Sequence, residues 1–119
     1  MESPPTFSYP GRDGDGARVI REGGLSFHMC AASTLKSKVL VLQPGVHNAI
    51  HTHPAEDAHY FVLSGRVTFY GSGDVVVADL EPNDGLFMPH GMPYWFESSG
   101  QEPLEMLRVS TMTDVRVSA

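Results

Sequence analysis

From residue 25 onward the chain runs in short apolar stretches separated by turn residues. The first two are 25–31 and 38–42 (KVLVL), the second ended by Pro44 and Gly45. The aromatic and β-branched stretch 58–63 (AHYFVL) stops at Ser64 and Gly65, and 66–70 (RVTFY) alternates polar with apolar before Gly71 and Gly73. Segment 75–80 precedes the turn Pro82-Asn83-Asp84-Gly85. Three more follow: 86–88 before Pro89 and Gly91, 94–97 before Ser98 and Gly100, and 104–111 at the end. No segment repeats its apolar residues at the helical period. Eight strands at this spacing predict an all-β barrel or sandwich. Residues 1–18, rich in Gly and Pro, read as an arm that a partner subunit would order, and 19–119 as one domain.

Composition narrows the function classes. Twelve Gly and nine Pro in 119 residues break the long runs a helix bundle needs. A net charge of -6, with no basic stripe among the aromatics, would repel a nucleic-acid backbone. No apolar run approaches the roughly 20 residues of a membrane helix. The start of the chain lacks the positive and apolar regions of a signal peptide. Cys30 is the single cysteine, so no internal disulfide forms. These features predict a cytoplasmic protein with no membrane or nucleic-acid partner. A small barrel with strand edges to cover predicts a homodimer.

Candidate chemistry concentrates in the histidines. Four of the six, His47, His51, His53 and His59, fall within thirteen residues. Alternate residues of a strand share a face, so His51 and His53 project together, with His47 in phase behind them. Such a pair is a ready bidentate site for a divalent transition metal, and Glu56 and Asp57 follow with a carboxylate to complete a facial set of three. His90 lies in a turn, and Glu97 and Arg108 read as strand residues on a solvated face or in an ion pair.

Residues 45–65 resemble the first cupin motif: a Gly, five residues, His-x-His, three or four residues, a Glu, six residues and a Gly. Here Gly45, His51, His53 and Gly65 fill those places. Residues 83–94 resemble the second motif, which ends Pro-x-Gly-x-Pro-His and reads Pro89-His90-Gly91-Met92-Pro93-Tyr94 in this chain. The resemblance spans about residues 38–110 and covers a small single-domain type. It implies a double-stranded β-helix (jelly-roll) barrel with a metal near one end. Two positions depart from the pattern. Counting back from Gly65, the family's Glu falls on Ala58, with Asp57 one residue early, and the family's last His falls on Tyr94.

The metal set expected from this reading is His51, His53 and Asp57, with His59 as the rival third ligand. The ion is Fe, Zn, Mn or Ni, without a choice among them. Tyr94, with His59 or His47, would move protons. The expected function is a metal-dependent enzyme acting on a small organic molecule. Loss of the fourth family ligand favours isomerisation, cyclisation or elimination over redox chemistry. An iron-dependent dioxygenase and a non-catalytic small-molecule-binding cupin are the alternatives.

Overall fold

The structure, a computed structural model, describes residues 3–113. The expected arm and domain, 1–18 and 19–119, each extend past these limits. Among the described residues nine strands follow one another: β1 Arg18–Arg21, β2 Gly24–Ala31, β3 Leu35–Leu42, β4 Glu56–Ser64, β5 Val67–Tyr70, β6 Val76–Leu80, β7 Gly85–Met88, β8 Trp95–Ser98 and β9 Leu104–Met112. Eight of them match the predicted stretches. The ninth, β1, is an edge strand with four exposed residues, held by backbone pairing to β2, so it carries no apolar pattern to read. Every pairing between strands is antiparallel. One sheet runs β1-β2-β3-β9-β4-β7 and the other β6-β5-β8. Together they form the all-β double-stranded barrel.

The two faces of the larger sheet do different work. Its inner face packs on the smaller sheet around Leu40, Val62, Phe69, Phe96, Leu104 and Met106, all buried. On its outer face Phe27, Val39 and Val41 form a second cluster, and residues of the arm cover it. Tyr9 meets the Phe27 ring edge-on at 5.2 Å, and its hydroxyl donates to the Glu105 carboxylate. The arm therefore packs on its own chain's sheet. Gly65 makes the β4–β5 turn with φ +82°, and a Cβ there would lie 2.6 Å from the Pro103 carbonyl oxygen.

Register grades the inner face from apolar to cationic. Ser26, Leu40, Met106 and Val62 stand opposite one another across β2, β3, β9 and β4. Two residues along, the same four strands present His28, Lys38, Arg108 and Tyr60. Two further, Lys36, Ser110 and Ala58 align. Directly opposed residues share a face, so this end of the barrel carries a row of cations.

Candidate functional site

That row lines a cavity of about 680 Å³ between the sheets. Leu40, Leu42 and Phe96 supply an apolar wall. Among the described residues, Arg21, Lys36, Lys38 and Arg108 face the space with a single carboxylate, Glu56. Half of the chain's eight Lys and Arg thus gather here, in a protein of net charge -6. Lys38 and Arg108 stand directly opposite each other, an arrangement that like charges disfavour. Burial, and then the Arg108 charge, hold the Lys38 ammonium below its usual range.

Arg108 is the hub. Its side chain is 11% exposed. Nη2 donates to Glu56 Oε1 at 2.9 Å, and Nε donates to the Tyr60 hydroxyl at 3.1 Å. The Tyr60 hydroxyl also meets the Tyr94 hydroxyl at 2.5 Å. The hydrogen bond from Arg108 is the main reason the Glu56 carboxyl lies below the usual carboxylate range. Burial raises the Tyr94 phenol far above its usual value, so it stays protonated.

His51 and His53 both line the cavity, their ring centroids 4.9 Å apart. Backbone bonds of 3.0 Å in each direction between His51 and Tyr94 tie their loop to the start of β8. His51 Nδ1 lies 2.9 Å from the Ala49 carbonyl, leaving Nε2 for a ligand. Burial, then the charges of Arg108 and His51, lower the His53 pKa and keep the ring neutral near pH 7.

The other predicted residues lie elsewhere. Asp57 does not join the histidines. Inward positions on β4 are 56, 58, 60 and 62, so Asp57 turns the other way, and its Oδ1 accepts the His90 backbone N–H at 2.8 Å and pairs with His90 Nδ1 at 2.9 Å. His59 shares that outward parity, is exposed, and pairs across strands with Phe87 and Val109. His47 sits in a separate shallow groove, its ring 5.6 Å from Trp95. Tyr94 is 1% exposed and lies behind the cavity wall, against Tyr60, His51, His53 and Phe96. The carboxylate on the cavity side is Glu56, with Oε1 4.0 Å from His53 Nδ1. Arg108 makes an ion pair, as its sequence position allowed, but inside the barrel. The residues that the sequence pattern left out are His28, Lys36, Lys38 and Tyr60, whose signal is polar side chains at alternate positions of otherwise apolar strands.

A cupin-domain model matches residues 38–110, more than half of the chain. The chain belongs to the cupin family. This cupin is 25% identical over 100 residues to oxalate decarboxylase OxdC of Bacillus subtilis (strain 168), covering 82% of this chain and 26% of that protein. It is 28% identical over 95 residues to mannose-1-phosphate guanylyltransferase 2 of Escherichia coli O157:H7, covering 78% and 19%. The chain spans about a quarter or less of these curated relatives. The solved structure of KdgF from Halomonas sp. superposes with a TM-score of 0.76 at 17% identity, over 94% of this chain and 97% of that one. That likeness shows the fold.

The family resemblance implies a metal, and the donors of this cupin do not fit a resident one. Among the described residues no three His, Cys, Asp or Glu side chains converge as a ligand set. Ala58 occupies the place of the family's carboxylate and faces inward with no donor atom. Tyr94 occupies the place of the last imidazole, with its hydroxyl engaged by Tyr60. Glu56 is bound to Arg108. Two imidazoles remain, against the three protein ligands usual in a catalytic site, and four cations face the same space.

Proposed function

We propose that this cupin binds a small organic anion in the cavity between its sheets and acts on it by proton transfer, in the manner of an isomerase or lyase. The observation that carries the reading is the row of opposed cations on the inner face, backed by an apolar wall. A carboxylate-bearing molecule matches both: guanidinium and ammonium groups hold the anion, and Leu40, Leu42 and Phe96 pack its carbon skeleton.

Acid–base groups face the same space. The Tyr60 oxygen takes the Arg108 N–H, and when Tyr94 donates to it as well, Tyr60 turns its own proton toward the cavity. Neutral His53 is a base within the same wall. A second reading, a binding module without catalysis, draws on one observation: Arg108 engages both Glu56 and Tyr60, the carboxylate and phenol best placed to move protons.

A panel of small 2-oxo- and 2-hydroxycarboxylates, incubated with the protein in D₂O and followed by NMR, tests both halves. Binding of a carboxylate, with exchange of a carbon-bound proton that Tyr60→Phe abolishes, is the expected result. Binding without exchange for every member selects the module. No binding, or equal binding of the uncharged amides, refutes the anion site.

A further inference from the structure

Resting on the anion reading above, we infer that the Arg108 guanidinium replaces a metal ion as the anchor of this barrel, so that ligand binding here is independent of metal.

Three observations converge on it. First, Arg108 lies in the middle of the inner row, between Lys38 on one side and Tyr60 on the other, with the most extensive polar contacts in the cavity. Glu56 takes only one terminal nitrogen, Nη2, which leaves Nη1 to donate to a ligand. Second, the position that would supply a metal's carboxylate is Ala58, one row nearer the Lys36 end. It stands opposite Ser110, whose buried hydroxyl has no hydrogen-bond partner among the described residues. Neither residue lines the cavity, so the row beside the guanidinium offers a metal no carboxylate. Third, the charge is already in place. Lys36, Lys38 and Arg108 supply the positive field that a divalent ion would otherwise provide, and that field opposes entry of such an ion.

These features form one pattern. A metal needs anionic or neutral donors converging on a point. This cavity has a donor-poor point surrounded by cations. An anion meets the reverse requirement and finds it satisfied.

The experiment uses the full chain without a histidine tag, expressed in medium containing Mn, Fe, Ni and Zn, and malonate as the probe. Metal content by plasma mass spectrometry is expected to be far below one per chain. Calorimetric titration is expected to give the same malonate affinity, within about twofold, in EDTA and in added Mn²⁺ or Zn²⁺. Arg108→Gln should weaken malonate about tenfold or more, the loss of a charge-assisted hydrogen bond, and Arg108→Lys should recover only part of it because the planar fork is gone. Circular dichroism checks that each variant folds, and Lys38→Gln, which leaves the Glu56 and Tyr60 contacts intact, gives a second weakening if Arg108→Gln does not fold. In the double variant His51→Ala/His53→Ala, malonate affinity should be as insensitive to EDTA and to added metal as it is in the parent. Stoichiometric metal that survives dialysis, with malonate binding only in its presence and lost in the double histidine variant, overturns the inference and leaves the anion reading standing. Failure of malonate and of the carboxylate panel to bind, with or without metal, overturns both.

Discussion

Replacing Lys38 by Met should stabilise the ligand-free protein while weakening its hold on an anion. Lys38 and Arg108 are partners in the β3–β9 register. Their Cβ atoms are therefore about 4.5–5.5 Å apart. With charged ends splayed to about 7 Å and an effective dielectric near 20, the repulsion is about 2.4 kcal/mol. Glu56, bonded to Arg108, offsets roughly half of this, and Met keeps the length and apolar stem of the side chain. The expected gain is about 1 kcal/mol, or a Tm rise of about 3–6 °C for a chain of this size. Malonate affinity should fall about tenfold in the same variant, since one charge-assisted contact is lost. Added salt should shrink the Tm gain, because part of the repulsion is screened.

The pH dependence has a definite sign. The Lys38 ammonium titrates below its usual 10.5, through burial first and the Arg108 charge second. Between the folded value and 10.5 the unfolded chain binds more protons, so wild-type stability rises with pH across that window. Below it the wild type carries the whole penalty, and Lys38→Met carries none. The Tm gap between the two proteins should be widest near neutrality and close as pH approaches 10.5. Thermal unfolding followed by circular dichroism reads both effects. A Tm at pH 7 equal to or below wild type, in a variant with an intact β spectrum, would refute the argument that these cations are held against their own repulsion.

Other substitutions separate the remaining claims. Asp57→Ala should leave malonate affinity within about twofold of wild type, because Asp57 faces His90 and not the cavity; a loss of about tenfold, the size of a charged contact, would return it to the site. Glu105 titrates below its usual 4.5: burial pulls the other way, but hydrogen bonds from Ser64 and Tyr9 prevail. Its contribution is present above 4.5 and lost as pH falls through the folded value, so Glu105→Gln should cost about 1–2 kcal/mol at pH 7 and nothing in acid. A Tm difference that does not vary with pH would break that link between Glu105 and the docked arm. Homodimerisation is expected from apolar side chains on the strand edges, with Val19 on β1, Val76 and Val77 on β6, and Phe87 on β7 all exposed. Sedimentation at micromolar concentration should give twice the 13.0 kDa chain mass, and the monomer mass would count against it.

The legible part of this protein is what local pattern decides. Apolar residues clustered in 38–42 and 104–111 mark β3 and β9 because each strand buries side chains, and turn residues mark the gaps. β1 has no such mark, since its residues bury nothing and its hydrogen bonds come from backbone that every residue carries. Likewise the i, i+2 rule finds His51 and His53, whose relation is local. The cationic row is not local. It joins His28, Lys38, Tyr60 and Arg108, residues spread over eighty positions of sequence, and becomes a row only through three registers that no single segment specifies. Taken alone, each of these residues reads as a polar side chain at the surface.

The choice between Asp57 and Glu56 shows how narrow that limit is. Both carboxylates follow His53 closely, and spacing from the histidines favours Asp57. What decides is the phase in which β4 begins, after Pro54 and Ala55 break the continuity of the histidine segment. The strand starts at Glu56 and places Tyr60 and Val62 in the core, and burial of those two fixes the phase of the whole strand. With a side-chain period of two, a shift of one residue reverses the face. The same core contacts that bury Tyr60 therefore send Asp57 out to His90, turn Ala58 inward without a donor, and bring Glu56 to Arg108. Packing of the apolar half of β4 thus determines the chemistry of its polar end. The cavity receives a guanidinium–carboxylate pair where a metal ligand would otherwise stand.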